Sequence, residues 1–322
     1  MSVSLPPSTT DYTPDQIRRA YGFDQITSQS GTQTVPADGR GQTIALVVAF
    51  RSPTLKQDLR GFDGQYGLPD RTLTGKPILK IAAPQPGTKP NPSWALETAT
   101  DVEWAHAIAP AAQILLVEAR SDSPADLFKA VDFARHRPNV SVVSMSWGWD
   151  IPPAGFDFQK LFSTPQRHVN SAGHRTGVTF VAAAADDGAT SAWPDPSLNI
   201  VSVGGTSLTL NGTDYASESR LPACDSPATV AYVATGFSVY QGGALQSPGG
   251  TSAAAPQWAA LVAIANQGRA ISHKTSLDGV TQTLPALTSF PDDDFHPIID
   301  AGPPTGRGSP FADRLIDDLV AV

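Results

Sequence analysis

The chain has 322 residues, 40% of them hydrophobic, enough to bury a sizeable core. Thirty acidic against 22 basic residues give a formal charge of -8, and the basic residues are scattered. That pattern argues against a nucleic-acid or anionic-membrane surface, so neither is expected as a partner. The single cysteine, Cys224, excludes an intrachain disulfide and a cysteine-built zinc site, and it is assigned no role.

The opening MSVSLPPSTTDYTPDQ lacks the basic start and apolar core of a signal peptide, and no apolar run approaches the ~20 residues of a membrane span. The chain reads as soluble. Its compartment stays open: secreted if this is an excised mature domain, cytoplasmic if Met1 is the native start. The 27 glycines and 29 prolines are spread along the chain rather than gathered in a linker, which predicts a single domain over 1–322.

Short β-branched or aliphatic runs recur in chain order: TIALVVAF (43–50), ILKIA (78–82), QILLVEA (113–119), SVVSMSW (141–147), VTFVAAAA (178–185) and IVSVGG (200–205). Continuous apolar runs of this length predict strands buried on both faces. Segments 54–66, 94–109, 123–136 and 158–175 carry helical spacing between them. SPADLFKAVDFARHR has a serine cap, a following proline and a basic end, as a helix dipole prefers. The alternation predicts an α/β fold, a mostly parallel central sheet with helices on both faces, and a site at the carboxyl ends of the strands.

In SPGGTSAAAPQWAALVAIANQ, Thr251 or Ser252 is placed to cap a helix running to about Gln267, with Pro256 expected in its first turn. Gly249 and Gly250 permit close backbone approach, and a serine at a helix N-terminus has N–H groups able to stabilise an oxyanion. A serine hydroxyl needs a base. None of the six histidines (106, 136, 168, 174, 273, 296) lies in an H-G-T context, and His106 reads as a structural helix residue.

The better partner is in WALETATDVEWAHAIAP, where Glu97 and Asp101 stand at i and i+4, about 5–6 Å apart on one helix face. Carboxyls so close share protons, one ionising readily and the other holding its proton. In an otherwise apolar segment (Trp94, Leu96, Val102, Trp104, Ile108) the pair departs from a solvated face. A third acid ends a strand in FVAAAADDGATSAW, at Asp186-Asp187-Gly188. D-D-G is ordinarily a turn, but a carboxyl kept protonated there would donate to an oxyanion.

Taken in order, YTPDQIRRAYGF, ETATDVEWAHAIAP, SMSWG, ADDG, VSVGGT and GGTSAAAPQWAAL give the chain a resemblance to the sedolisin family of serine-carboxyl peptidases. That resemblance implies a subtilisin-like fold. It implies Ser252 as nucleophile, Glu97 as general base and acid, Asp101 as the acid orienting Glu97, and Asp186 as the oxyanion donor. It also implies that the backbone of Ser144, Met145, Ser146, Trp147 and Gly148 pairs with an extended peptide substrate, and that activity is favoured at acidic pH.

Departures from the family are visible too. Its first strand usually ends in an acid, where this chain has Val48. At the positions of its calcium-loop aspartates stand Pro297 and Gly302, leaving Asp300, too few oxygens for an ion that takes 6–8. No calcium site or other cofactor is expected. The insertion between VGGT and Ser252 is reduced, and the chain begins where a mature catalytic domain would, with no pro-region.

Three functions follow: an acid-acting peptidase; a divergent enzyme using Ser252 on a small dedicated acyl substrate near neutral pH; and a silent binding scaffold, which the four filled positions disfavour.

Overall fold

The computed structural model describes residues 11–30, 33–149, 154–186, 194, 197–221, 228–302 and 305–322. Asp187 and Gly188 of the D-D-G turn, and Cys224, lie outside the described residues.

The chain opens with α1 (Pro14–Ala20), the hairpin β1 (Thr27–Ser30) and β2 (Gln33–Pro36), then β3 (Thr43–Ala49) and α2 (Leu55–Tyr66). Next come β4 (Leu79–Ala82), α3 (Ala95–Ile108), β5 (Gln113–Ala119), α4 (Pro124–Arg135), β6 (Val140–Met145), α5 (Phe158–Leu161) and β7 (Thr179–Ala183). The second half holds β8 (Val201–Asn211), β9 (Asp214–Arg220), β10 (Val230–Val233), β11 (Val239–Gln241), β12 (Ala244–Gln246) and α6 (Thr251–Ile271). It closes with α7 (Leu284–Ser289), β13 (Phe295–His296), β14 (Ile298–Ile299), β15 (Ser309–Pro310) and α8 (Ala312–Ala321).

A nine-stranded sheet runs β14-β9-β8-β7-β6-β3-β5-β4, with β10 also paired to β8. Among the described residues only β8–β9 is antiparallel within it. The reason is the one the sequence supplies: β3, β6 and β7 are buried at every position, so both faces must be covered by helices. Along β3, Ile44, Leu46 and Val48 enter the core beneath α3 and α6, while Ala45, Val47 and Ala49 enter the core beneath α4.

Helix α6 is buried from Thr251 to Arg269 and threads the larger core. Trp258 anchors it: the ring is fully buried and its Nε1 donates to Ala231 O at 2.9 Å. Burying a side chain of that size contributes on the order of 2–3 kcal/mol, provided its N–H is satisfied.

The expected helix over 158–175 is a correction. Only Phe158–Leu161 is helical. Pro165 lacks the N–H a helix needs and biases Thr164 away from helical angles. Asn170 Oδ1 then accepts from Ala172 N and His174 N, each at 3.0 Å, folding the segment into a turn closed by a Val169–Arg175 bridge. A further feature not foreseen is the antiparallel β8–β9 hairpin, which turns at Gly212-Thr213 between the paired Asn211 and Asp214, with Gly212 at φ 67°.

Candidate active site

Helix α3 supplies two carboxyls. Asn91 caps the turn before it by accepting from Ser93 N at 3.0 Å, and from Ala95 to Ile108 every residue except Leu96 is buried. A helix buried all round belongs to the interior of the molecule. Its charged residues are therefore desolvated. Glu97 is 8% exposed and Asp101 0%.

Helix α6 supplies the hydroxyl. Its cap residue is Gly250, not Thr251 or Ser252, and Gly250 has no side chain with which to cap. Asp186, beyond the end of β7, does the capping from outside: its Oδ1 accepts from Thr251 N at 2.7 Å and from Thr251 Oγ1 at 2.8 Å. A carboxyl at that place satisfies an orphan N–H and meets the positive end of the helix dipole. Only glycine fits at 250. Its φ is +119°, and a Cβ there would lie 2.4 Å from Asp186 Oδ2. The next residue, Ser252, is 7% exposed, and its backbone N–H belongs to the first-turn set that lacks intrahelical acceptors.

The Ser252 hydroxyl lies against the Glu97 carboxyl. Burial raises the Glu97 pKa to about 7, the approach of Ser252 offsets part of that, and Asp186 adds to it. Asp101 is raised well above its ordinary value by burial and then by Glu97, while Ser146 pulls the other way. Glu97 Oε1 and Asp101 Oδ2 are buried with no hydrogen-bond partner among the described residues. The four residues expected to carry chemistry thus converge at the carboxyl ends of β6 and β7.

Of the expected substrate-pairing stretch, Ser144 and Met145 lie inside β6, paired to Leu46 and Val47 on one side and to Val181 and Ala182 on the other. Their backbones are spent on the sheet. Ser146, Trp147 and Gly148 lie past the strand; Trp147 is pinned by Nε1 donating to Val47 O at 2.8 Å, and Gly148 is exposed. The side chain of Ser146 turns inward instead: its Oγ lies 2.8 Å from Asp101 Oδ1 and 3.3 Å from Ser252 O. Sequence reasoning missed that contact. Pro256 also sits differently from expectation, at the sixth helical residue of α6 rather than in its first turn.

A second acid cluster was not foreseen. Glu103, two residues after Asp101, faces away from the serine. Its Oε2 accepts from Tyr240 N at 2.8 Å, and Asp58 Oδ1 accepts from Gly242 N at 3.0 Å. His106, fully buried, has Nε2 3.3 Å from Asp63 Oδ1. Burial lifts the Glu103 pKa to about 9, with Asp58 and Asp63 adding to it. These groups hold the β11–β12 hairpin onto α2 and α3, a structural place for His106.

At the position of the family's calcium loop, the donors do not fit that ion. Pro297 carries no donor side chain, and Asp300 is exposed with φ 57°. Glu218, the buried carboxylate on the strand residue paired with Ile298, already accepts from Tyr21 at 2.5 Å, Thr206 at 2.5 Å and Tyr215 at 3.2 Å, and from Ser309. Among the described residues no group of three or more His, Cys, Asp or Glu side chains is arranged to hold a metal ion.

Comparison with known proteins agrees with this architecture. The subtilase family model matches residues 91–284, more than half of the chain, which therefore belongs to that family. Within it the chain is a divergent relative of the sedolisins. It is 27% identical over 381 residues to kumamolisin from Bacillus sp. (strain MN-32), an alignment covering 97% of this chain and 64% of that protein. The chain thus spans just under two thirds of that relative's length.

Among solved structures, Pseudomonas sedolisin, a serine-carboxyl proteinase complexed with two molecules of pseudo-iodotyrostatin, superposes with a TM-score of 0.74 at 18% identity, covering 98% of this chain and 99% of that one. The prenylagaramide maturation protease PagA gives 0.57 at 14% identity, over 86% and 93% of the two chains. At such identities both establish the shared fold.

Proposed function

We propose that the protein is a serine-carboxyl peptidase that cleaves peptide bonds through Ser252 and an acyl-enzyme. One observation carries the reading: the Ser252 hydroxyl rests against a buried carboxyl, Glu97, whose pKa is raised to about 7, the value a general base needs near neutrality. As Ser252 Oγ attacks the substrate carbonyl carbon, Glu97 takes its proton, and the carbonyl oxygen becomes an oxyanion. The Ser252 backbone N–H donates to that oxygen, with Asp186 beside it as the second donor that the resemblance implies. Glu97 then returns the proton to the leaving amine as the C–N bond breaks. Water, deprotonated by Glu97, hydrolyses the ester and restores Ser252.

Asp101 acts behind Glu97. A proton shared between Glu97 Oε1 and Asp101 Oδ2 would satisfy two otherwise unpaired buried oxygens. The competent form carries a proton on Asp101 and a negative charge on Glu97. Two interacting carboxyls hold a single charge over a limited window, bounded by ionisations that belong to the pair. With its pKa at about 7, Glu97 is the free base from about neutrality upward, and an acid preference is carried by the resemblance to the sedolisins alone. An extended peptide would pair from Ser146 onward through Gly148. No metal is required, given the donor set around Asp300 and Glu218.

The test is cleavage of a denatured protein from pH 3 to 8 by wild type, Ser252→Ala and Glu97→Gln. Protein cleavage lost in both variants supports the reading, and its pH profile decides between the acid preference of the resemblance and the neutral range set by Glu97. Covalent capture of a carbonyl electrophile by Ser252 without protein cleavage would transfer it to a small acyl substrate. Neither would leave a binding scaffold.

A further inference from the structure

Helix α6 carries a proline four residues after its serine. In an α-helix the N–H of residue i+4 donates to the carbonyl of residue i, so Pro256 leaves the Ser252 carbonyl without its helical donor. That carbonyl is not left empty. Ser146, 6% exposed and just past β6, places its Oγ 3.3 Å from Ser252 O while lying 2.8 Å from Asp101 Oδ1. A hydroxyl has a single proton to donate. It cannot serve both acceptors fully at once.

We infer that Ser146 is a positioning residue for the Ser252 reaction, its hydroxyl linking Asp101 to the backbone of the nucleophile, with Pro256 vacating the carbonyl that makes the link possible. When Asp101 is ionised, Ser146 donates to Oδ1. When Asp101 holds its proton on Oδ2, toward Glu97, its neutral Oδ1 is a weaker acceptor, and Ser146 turns its own proton to Ser252 O. The charge state of Asp101 is thereby transmitted to the first turn of α6, the turn that presents both the nucleophile and an oxyanion N–H. The groups facing this hydroxyl come from two helices: Asp101 from α3, and Ser252 with Pro256 from α6; Glu97 and Asp186 complete the local charge. This inference rests on the peptidase reading of the same site.

The test uses the full chain with Ser146→Ala, Ser146→Thr and Pro256→Ala, read two ways. In peptide cleavage, Ser146→Ala is expected to lower kcat about 10- to 100-fold with KM within about 2-fold, since a transition-state arrangement rather than substrate binding is lost. Ser146→Thr, which keeps the hydroxyl, is expected within about 3-fold of wild type. Pro256→Ala restores a helical N–H to Ser252 O and is expected to lower kcat about 3- to 10-fold in a folded protein.

Independently of activity, carboxyl ¹³C NMR of Asp101, assigned with Asp101→Asn, should show its titration moving to higher pH in Ser146→Ala, because the donor to its charged form is gone. If wild type cleaves no peptide, the peptidase reading fails and the NMR titration alone decides the linkage. An unmoved Asp101 titration in Ser146→Ala, or in Pro256→Ala should the Ser146→Ala protein not fold, overturns the inference. So does an unchanged kcat in an active Ser146→Ala enzyme.

Discussion

Replacing Gly250 with alanine strikes the joint between the oxyanion side of the site and the nucleophile helix. The backbone at 250 has φ +119° and ψ 166°, a region essentially closed to residues with a Cβ, which costs about 1–3 kcal/mol. The new methyl would also lie 2.4 Å from Asp186 Oδ2 and 3.1 Å from its Cγ. Asp186 must withdraw, and its two bonds from Thr251, at 2.7 and 2.8 Å, stretch or break. Leaving a buried donor unpaired costs about 1–3 kcal/mol, so with the backbone strain the whole change should cost roughly 2–6 kcal/mol.

The assay is urea denaturation of wild type, Gly250→Ala, Asp186→Ala and the double variant. With Asp186 already truncated, the steric part disappears, and Gly250→Ala should cost only its backbone share. The cycle is therefore expected to be non-additive by about 1–3 kcal/mol. Additive losses, or a Gly250→Ala protein as stable as wild type, would refute the claim that Asp186 caps α6 over a glycine.

Glu103 should make stability fall as pH rises. Its folded-state pKa of about 9 lies above the unfolded value, so between about 4.5 and 9 the unfolded chain loses a proton that the folded chain keeps. Denaturation midpoints are expected to be lower at pH 8 than at pH 5, with a flatter dependence in Glu103→Gln. Glu218→Ala would strand hydroxyls of Tyr21, Thr206, Tyr215 and Ser309 in the interior. It should cost about 3 kcal/mol or more by thermal or urea unfolding. Chelation is a separate check on the same region: excess EDTA should leave Tm unchanged, and a drop of several degrees would show that a cation supports the fold.

The sheet was legible because its central strands are buried on both faces and so read as unbroken apolar runs. The β8–β9 hairpin carries its own local signal, a Gly-first two-residue turn, Gly212-Thr213, flanked by alternating residues in TSLTLNGTDYASES. The spurious helix over 158–175 came from weighing apolar spacing above Pro165 and Gly173. At the site, Glu97 and Asp101 could be read from an i, i+4 spacing in an apolar helix, and Ser252 from its glycine-rich approach.

The capping role of Asp186 and the inward turn of Ser146 were not readable. Each joins residues far apart in the chain, 65 and 45–106 positions away. No local pattern encodes such a meeting. The second acid cluster is of the same kind: Glu103 follows Asp101 by two residues, but its partners come from α2 and the β11–β12 hairpin.

The central claim is that a carboxylate, not an imidazole, activates Ser252. A crystal structure of the protein with a peptide aldehyde measures this most directly. The account predicts a bond from Ser252 Oγ to the aldehyde carbon, a Glu97 oxygen within hydrogen-bonding distance of Oγ, and the former carbonyl oxygen between Asp186 and the Ser252 N–H. An adduct formed with Glu97 out of reach of Oγ and a histidine in its place would contradict it.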